Sequence, residues 1–194
     1  DASDPVRMGR EAFNCYLSVC LDEQKDPPLV SVFTPTYKTG QRFLRPYRSL
    51  IEQTFVNWEW IVWDDSDDDG ETARMIEGFA AADHRIRLIR PPRHSGIIGE
   101  VKYNACMASR GHILVELDHD DELTRDALEL VVKTWRKYPQ CGFYYSDFAE
   151  VGPNLEPLKY GEGWGYGYGA YRFEDWRGNR LAVIGDKAAR VLDG

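Results

Sequence analysis

The sequence contains no run of about 18 uninterrupted apolar residues, so no segment reads as a membrane-spanning helix. Its first residues lack the basic, apolar and small-residue succession of a secretory signal. Cysteine is sparse. Cys15, Cys20, Cys106 and Cys141 form no Cys-x-x-Cys pair and no zinc-type spacing, so they are read as reduced thiols of a cytoplasmic chain. Positive charge is also short: 24 Lys and Arg face 32 Asp and Glu, a net charge of -8, which argues against a nucleic-acid partner. The same deficit fits an anionic ligand poorly unless a cation mediates.

Apolar side chains are plentiful, at 43% of 194 residues with 13% aromatic. A domain of that length buries about 70% of its unfolded surface, enough for a real core. A chain that starts at Asp1 rather than Met reads as an excised piece of something longer. Residues 1–27 form a preface, in which Phe13, Leu17, Cys20 and Leu21 recur at helical spacing before the breaker Pro27-Pro28. Residues 28–194 are taken as one domain.

Within that domain strands and helices alternate. "LVSVF" (29–33), "WEWIVW" (58–63), "RIRLIR" (85–90), "HILVEL" (112–117) and "GFYYS" (142–146) are short apolar strand candidates. Between them, "FLRPYRSLIEQ" sets Phe43, Leu44, Tyr47, Leu50 and Ile51 on one helical face, with Pro46 in the first turn. "TARMIEGFAAA", residues 97–109 and "TRDALELVVKTWRKY" supply three more helices, the last with Leu128, Val131, Val132 and Trp135 on one face. This alternation predicts an α/β fold, a parallel sheet covered by helices on both faces. Ligands of such sheets bind beyond the carboxyl ends of the strands. Four polar clusters directly follow predicted strands: Thr34 to Tyr37, Asp64-Asp65, Arg93 to Gly96 and Asp118 to Asp121.

Five aspartates fall between Asp64 and Asp69. A calcium loop would require a bidentate Glu at its twelfth position, which is Ile76 when Asp65 is the first, and a helix where this loop follows a strand. Asp67, Asp68 and Asp69 are therefore read as a solvated turn capping a helix from about Glu71. Asp64 and Asp65 stand closest to the strand end and can reach the crevice. In "LVELDHDDEL", Asp118, Asp120 and Asp121 end an apolar strand, where like charges at 4 Å repel by about 4 kcal/mol at an effective dielectric of 20. They must splay into water, favour a helix dipole, or share a cation such as magnesium or manganese. His119, flanked by these acids, points away from them by strand alternation.

Taken together, Pro35-Thr36-Tyr37, "SLIEQTFVNWEWIVWDD", Gly96 to Asn104 and "LDHDDELTRDALELV" resemble the family 2 glycosyltransferases with the GT-A fold, over about residues 28–150. The resemblance implies a Rossmann-like, mostly parallel sheet. It also implies an inverting transfer from a nucleotide-diphosphate sugar, assisted by Mn2+ or Mg2+, as in polysaccharide biosynthesis. Pro35, Thr36 and Tyr37 would flank the base and Asp65 accept a hydrogen bond from it. Asp118 would face the ribose, donor sugar or metal, Asp120 would bind the metal, and Asp121 would line the donor. Departures stand at Lys38, at Ser66 to Asp69, and at His94-Ser95-Gly96 where Asn-x-Gly is common. Lys102 stands where Arg is common and offers a phosphate charge without a fork.

An inverting transfer also needs a general base near the acceptor hydroxyl. Glu174-Asp175 is the acidic pair beyond the metal motif, and ordinary surface charge is its other reading. "YGEGWGYGYGAY" (160–171) reads either as a mobile acceptor-side lid or as a loop with tucked aromatics. The chain is short at its C-terminal acceptor side. The expected donor is a UDP- or dTDP-sugar and the acceptor a glycan. The alternative is a non-catalytic or truncated nucleotide- or glycan-binding module. A nucleotidyltransferase ranks behind both, because Thr-Pro-Thr-Tyr-Lys replaces a glycine-rich phosphate loop.

Overall fold

The computed structural model describes residues 27–146 and 148–152 in full, and the backbone of residues 172–176 and 179–184. The predicted helix over Phe13 to Leu21 lies outside them. Two compact units divide the chain, Asp1–Lys133 and Thr134–Gly194.

The first unit is built on four parallel strands, β1 (Val30–Thr36), β2 (Trp58–Asp64), β3 (Ile86–Ile89) and β4 (Ile113–Glu116), in the order β3-β2-β1-β4. A turn of 3-10 helix (Gly40–Phe43) and α1 (Leu44–Ile51) join β1 to β2, and α2 (Glu71–Ala82) joins β2 to β3. The connection through α3 (Ile98–Met107) then crosses to the far side of β1, and α4 (Ala127–Lys137) follows β4. Each predicted helix of residues 28–137 is present within a few residues of its expected limits.

Strand alternation sends Trp60 to one face of the sheet and Ile61 to the other. On the first face Phe43 stacks on Trp60 at 4.9 Å and on Phe79 at 6.0 Å, while the Trp60 indole donates to Thr34 Oγ1 at 2.8 Å. On the second, Phe33 and Ile61 pack against Ala105 and Ala108 at the end of α3. Both faces are thus covered, as a parallel sheet of near-continuous apolar strands requires. The α1 face differs from expectation in one residue: Ile51 points to solvent, and Pro46, Ser49 and Leu50 are the buried positions.

At the amino ends of the strands sits a buried charge network. Glu59 receives Arg110 through Nε (2.9 Å), NH2 (2.6 Å) and its backbone amide (2.8 Å), together with Arg87 NH1 (3.2 Å) and the Ser31 hydroxyl (2.7 Å). Burial alone would push the Glu59 carboxyl up, but these donors outweigh it and hold it below its ordinary value. Gly111 lets the chain approach β1 closely, since a Cβ there would meet Ser31 N at 2.6 Å.

The fifth strand expected over 142–146 does not form: the segment has no strand partner among the described residues, Phe143 and Tyr145 are exposed, and Tyr144 donates to the Tyr138 carbonyl at 2.6 Å. Aromatic β-propensity without a neighbouring strand leaves the ladder unformed. In the second unit the pairing falls to β5 (Phe148–Ala149), β6 (Arg172–Trp176) and β7 (Asn179–Ile184), an antiparallel sheet ordered β5-β7-β6.

Candidate functional site

The strand order places the topological switch point between β1 and β4, where the chain leaves β1 for one side of the sheet and reaches β4 on the other. Crevices at such points take ligands. Pro35 sharpens this one. Phe33 accepts from Leu117 N at 3.1 Å on the β4 side, and the ladder between these strands ends at the Phe33–Glu116 pair. Pro35, two residues on, directs its missing donor to the same side, where no partner remains to be disappointed. Beyond it β1 stays paired with β2 alone, and the crevice opens towards β4.

Two groups of side chains meet this rim. In the first, Asp64 and Asp65 are both buried at the end of β2. Asp64 Oδ1 accepts from Ser66 N (3.1 Å) and from the Thr36 hydroxyl (3.2 Å). Asp65 is bound by the loop after β3: Ser95 N donates to Oδ1 at 2.8 Å, Gly96 N to Oδ2 at 3.0 Å, and His94 Nδ1 lies 2.9 Å from Oδ2. The His94 ring stacks on Tyr37, with centroids 5.1 Å apart. Tyr37 is 44% exposed and stands at the mouth of the crevice, whereas Pro35 and Thr36 are buried behind it.

The second group follows β4. Thr39 Oγ1 lies 2.8 Å from His119 Nδ1 and 3.3 Å from its carbonyl, so His119 ties the β1 and β4 loops together. Asp118 Oδ1 lies 3.2 Å from Lys102 Nζ, which also binds Glu116, and Asp120 Oδ2 lies 3.4 Å from Arg42 NH1. The two acids raise Lys102 above its ordinary value against the effect of burial, Glu116 contributing most. Asp121 is raised above the usual carboxylate range by burial, and then by the charges of Asp118 and Asp120.

Among the described residues no three metal-ligating side chains converge ready for a metal. The donor set still fits one: Asp118 and Asp120 are half exposed at the crevice, their oxygens are the hard ligands Mg2+ and Mn2+ prefer, and those ions need only one or two protein carboxylates.

The acidic run after β2 is dispersed. Asp67 pairs with Lys38 at 2.7 Å on the surface, and that contact brings it down to about 2. Asp68 caps α2 through Thr72 N (3.0 Å) and Thr72 Oγ1 (2.6 Å), in agreement with the capping role read from the sequence. Glu174 and Asp175 fall on β6 of the second unit, where backbone register sets them beside Leu181 and Arg180. Residues 160–171 lie outside the described residues. Sequence reasoning placed His94 in a rim cluster and named it as a departure without giving it a role, and it did not single out Arg42. A histidine replacing a common Asn was the available signal for His94; Arg42 offered none, since only the strand order brings it to Asp120.

Comparison with known proteins agrees with this architecture. The model of "Glycosyl transferase family 2" matches residues 31–190. The uncharacterized protein y4gI of Sinorhizobium fredii is 32% identical over 139 residues, covering 71% of this chain and 15% of that protein. The putative colanic acid biosynthesis glycosyl transferase WcaA of Escherichia coli is 29% identical over 123 residues, 63% of this chain and 43% of that protein. The chain thus spans less than half the length of either relative. Among solved structures, the mannosyltransferase PcManGT of Pyrobaculum calidifontis, in complex with GDP-Man and Mn2+, superposes with a TM-score of 0.55 at 24% identity, over 65% of this chain and 37% of that one. Its likeness bears out the fold expected, and the family match over most of the sequence settles the wider question: the chain belongs to glycosyl transferase family 2.

Proposed function

We propose that this chain carries the donor site of an inverting glycosyltransferase that moves a sugar from a nucleotide-diphosphate sugar to a saccharide acceptor. The observation that carries the reading is the meeting of Tyr37, Asp65 and the Asp118–Asp121 loop around the switch-point crevice of a family 2 domain. Tyr37 offers the base an aromatic face and Asp65 a hydrogen-bond acceptor. Asp121 lines the donor sugar, and Lys102 lies within reach of the diphosphate. Asp120 and Asp118 would hold a divalent cation, Mn2+ or Mg2+, which when bound supplies Lewis-acid stabilisation to the departing diphosphate.

In the transfer the acceptor hydroxyl oxygen forms a bond to the anomeric carbon from the face opposite the leaving group. The bond from that carbon to the phosphate oxygen breaks, and the hydroxyl proton passes to a carboxylate base, for which Glu174 and Asp175 are the candidates. The names of relatives such as the putative colanic acid biosynthesis glycosyl transferase WcaA support a role in polysaccharide biosynthesis.

Calorimetric titration of the purified chain with UDP, dTDP and GDP, each with and without Mn2+, tests the donor site. One nucleotide bound tightly only with metal supports it; no binding under any condition refutes it. Transfer from the corresponding nucleotide sugar to oligosaccharide acceptors then separates an enzyme from a binding module.

A further inference from the structure

The amino end of the sheet carries a second concave place, away from the switch-point crevice. A cavity of about 200 Å³ opens there, with Asn57, Trp58, Glu59, His84, Arg85 and Arg110 in its lining. Trp58 and Glu59 begin β2, whereas Asp64 ends it. At about 3.3 Å per residue the two ends of this seven-residue strand stand about 20 Å apart, so the cavity is separate from the crevice.

Its side chains offer more donors than acceptors. Arg110, only 9% exposed, directs Nε and NH2 to Glu59, and its NH1 has no hydrogen-bond partner among the described residues. Arg85 directs Nε and NH2 to Asp83, and its NH1 reaches the Val56 carbonyl at 3.4 Å. A guanidinium carries five N–H groups, so both keep donors unfilled. The Trp58 indole N–H is buried without a partner among the described residues, and Arg85 lies over the same ring, 3.7 Å from its centroid. Folded chains leave few buried donors unmet. The neighbouring acceptors are already occupied. Glu59 Oε1 accepts from the Ser31 hydroxyl and the Arg110 amide, and Oε2 from Arg110 and Arg87. Arg85 fills both Asp83 oxygens, and Asn57 Oδ1 accepts from Leu29 N at 3.3 Å.

Charge points the same way. Arg85 and Asp83 balance each other, but Glu59 is shared by two guanidinium groups, Arg110 at 2.6 Å and Arg87 at 3.2 Å. One positive charge at this end is therefore left over, in a chain whose net charge is -8. His84 stands exposed beside it.

We infer that this cavity binds a phosphate group, either as a free ion or as the terminal group of a larger molecule. Pockets for drug-sized ligands run from about 300 to 1,000 Å³, so a whole nucleotide sugar is too large for it. Several water-sized volumes of about 30 Å³ fit, which is room for phosphate or diphosphate. The planar forks of Arg85 and Arg110 suit phosphate oxygens, and a phosphate has enough oxygens to meet both at once.

Nitrogen-15 spectra of the parent chain, titrated without metal at constant ionic strength, read the site directly. The probes are inorganic phosphate, inorganic diphosphate and glycerol phosphate, with sodium chloride as the control. The Trp58 indole N–H and the Arg85 and Arg110 Nε–H signals should move together and saturate with at least one probe, and stay still in chloride. Saturation by the inorganic ions alone supports a site for a free anion; saturation by glycerol phosphate as well supports one for a terminal phosphate. Arg85→Gln should weaken the binding by about tenfold or more, and Arg85→Lys should recover part of it, since lysine restores the charge without the fork. No saturable movement in the parent overturns the site, as does movement confined to the crevice loops. Binding unchanged in a folded Arg85→Gln overturns it too, with circular dichroism as the check on folding. If that variant does not fold, the parent spectra decide alone.

Discussion

Glu59→Gln should be among the most damaging substitutions in the first unit, although it removes a single charge far from the crevice. The carboxylate is 3% exposed and its partner guanidinium, on Arg110, 9%. Gln keeps an oxygen for the Ser31 hydroxyl and the Arg110 amide on the Oε1 side. On the Oε2 side it sets an NH2 group against Arg110 Nε and Arg110 NH2, which lose their acceptor, and against Arg87 NH1, which keeps the Ala108 carbonyl at 3.3 Å. Breaking a buried pair in this way costs about 3–5 kcal/mol, which for a unit of this size lowers the melting temperature by about 10 °C or more. The assay is thermal and urea unfolding of parent, Glu59→Gln, Arg110→Met and the double variant, read as a cycle. The double variant should be more stable than Glu59→Gln by about 2 kcal/mol, because it no longer strands a buried cation. Acid adds an independent reading. The Glu59 carboxyl is held below its ordinary value in the folded chain, so its contribution is present above the usual carboxylate range and lost as pH falls through the lowered value. Glu59→Gln should flatten that part of the stability profile. A loss under about 1 kcal/mol in Glu59→Gln would refute the reasoning and show that water reaches the network.

Asp120→Ala should abolish metal-dependent nucleotide binding and leave the melting temperature within about 2 °C, since its contact with Arg42 is exposed; unchanged nucleotide affinity would exclude it as a ligand. Asp68→Ala should cost about 1 kcal/mol by uncapping α2 and leave nucleotide binding untouched, and a lost metal response would revive a calcium loop there. Gly111→Ala should destabilise by about 1–3 kcal/mol, because its Cβ collides with the β1 backbone and not with a movable side chain; an unfolding curve matching the parent would contradict the close approach. Asp175→Asn should slow sugar transfer while sparing donor binding, and normal turnover would remove it as the base.

Much of the fold was legible because local patterns and burial agree. The apolar runs at 30–36 and 58–64 are buried throughout but for a half-buried Trp63, and Asp68 capped the helix its position suggested. What escaped depended on pairing across long distances. "GFYYS" has strand-like composition yet forms no ladder, while Phe148–Ala149 pairs with Val183–Ile184. Strand order is equally invisible to a local pattern, and with it the contacts of Thr39 with His119 and Arg42 with Asp120, about 80 residues apart in sequence.

The charge arrangement connects the site to the composition. Lys38 faces Asp67, Arg42 faces Asp120, and Lys102 lies between Glu116 and Asp118. Each of these three cations near the rim already answers a carboxylate, so none of them meets an incoming diphosphate without exchanging partners. At an effective dielectric of 20, two like unit charges about 6 Å apart repel by about 3 kcal/mol, a hundredfold or more in affinity. Beside these acids a diphosphate can be admitted in two ways: Lys102 and Arg42 exchange carboxylate for phosphate, or a divalent cation neutralises Asp118 and Asp120. The first exchange bares the acids that Lys102 and Arg42 now cover. The second adds positive charge where Asp118 and Asp120 already stand half exposed, and that is what favours the metal-assisted proposal.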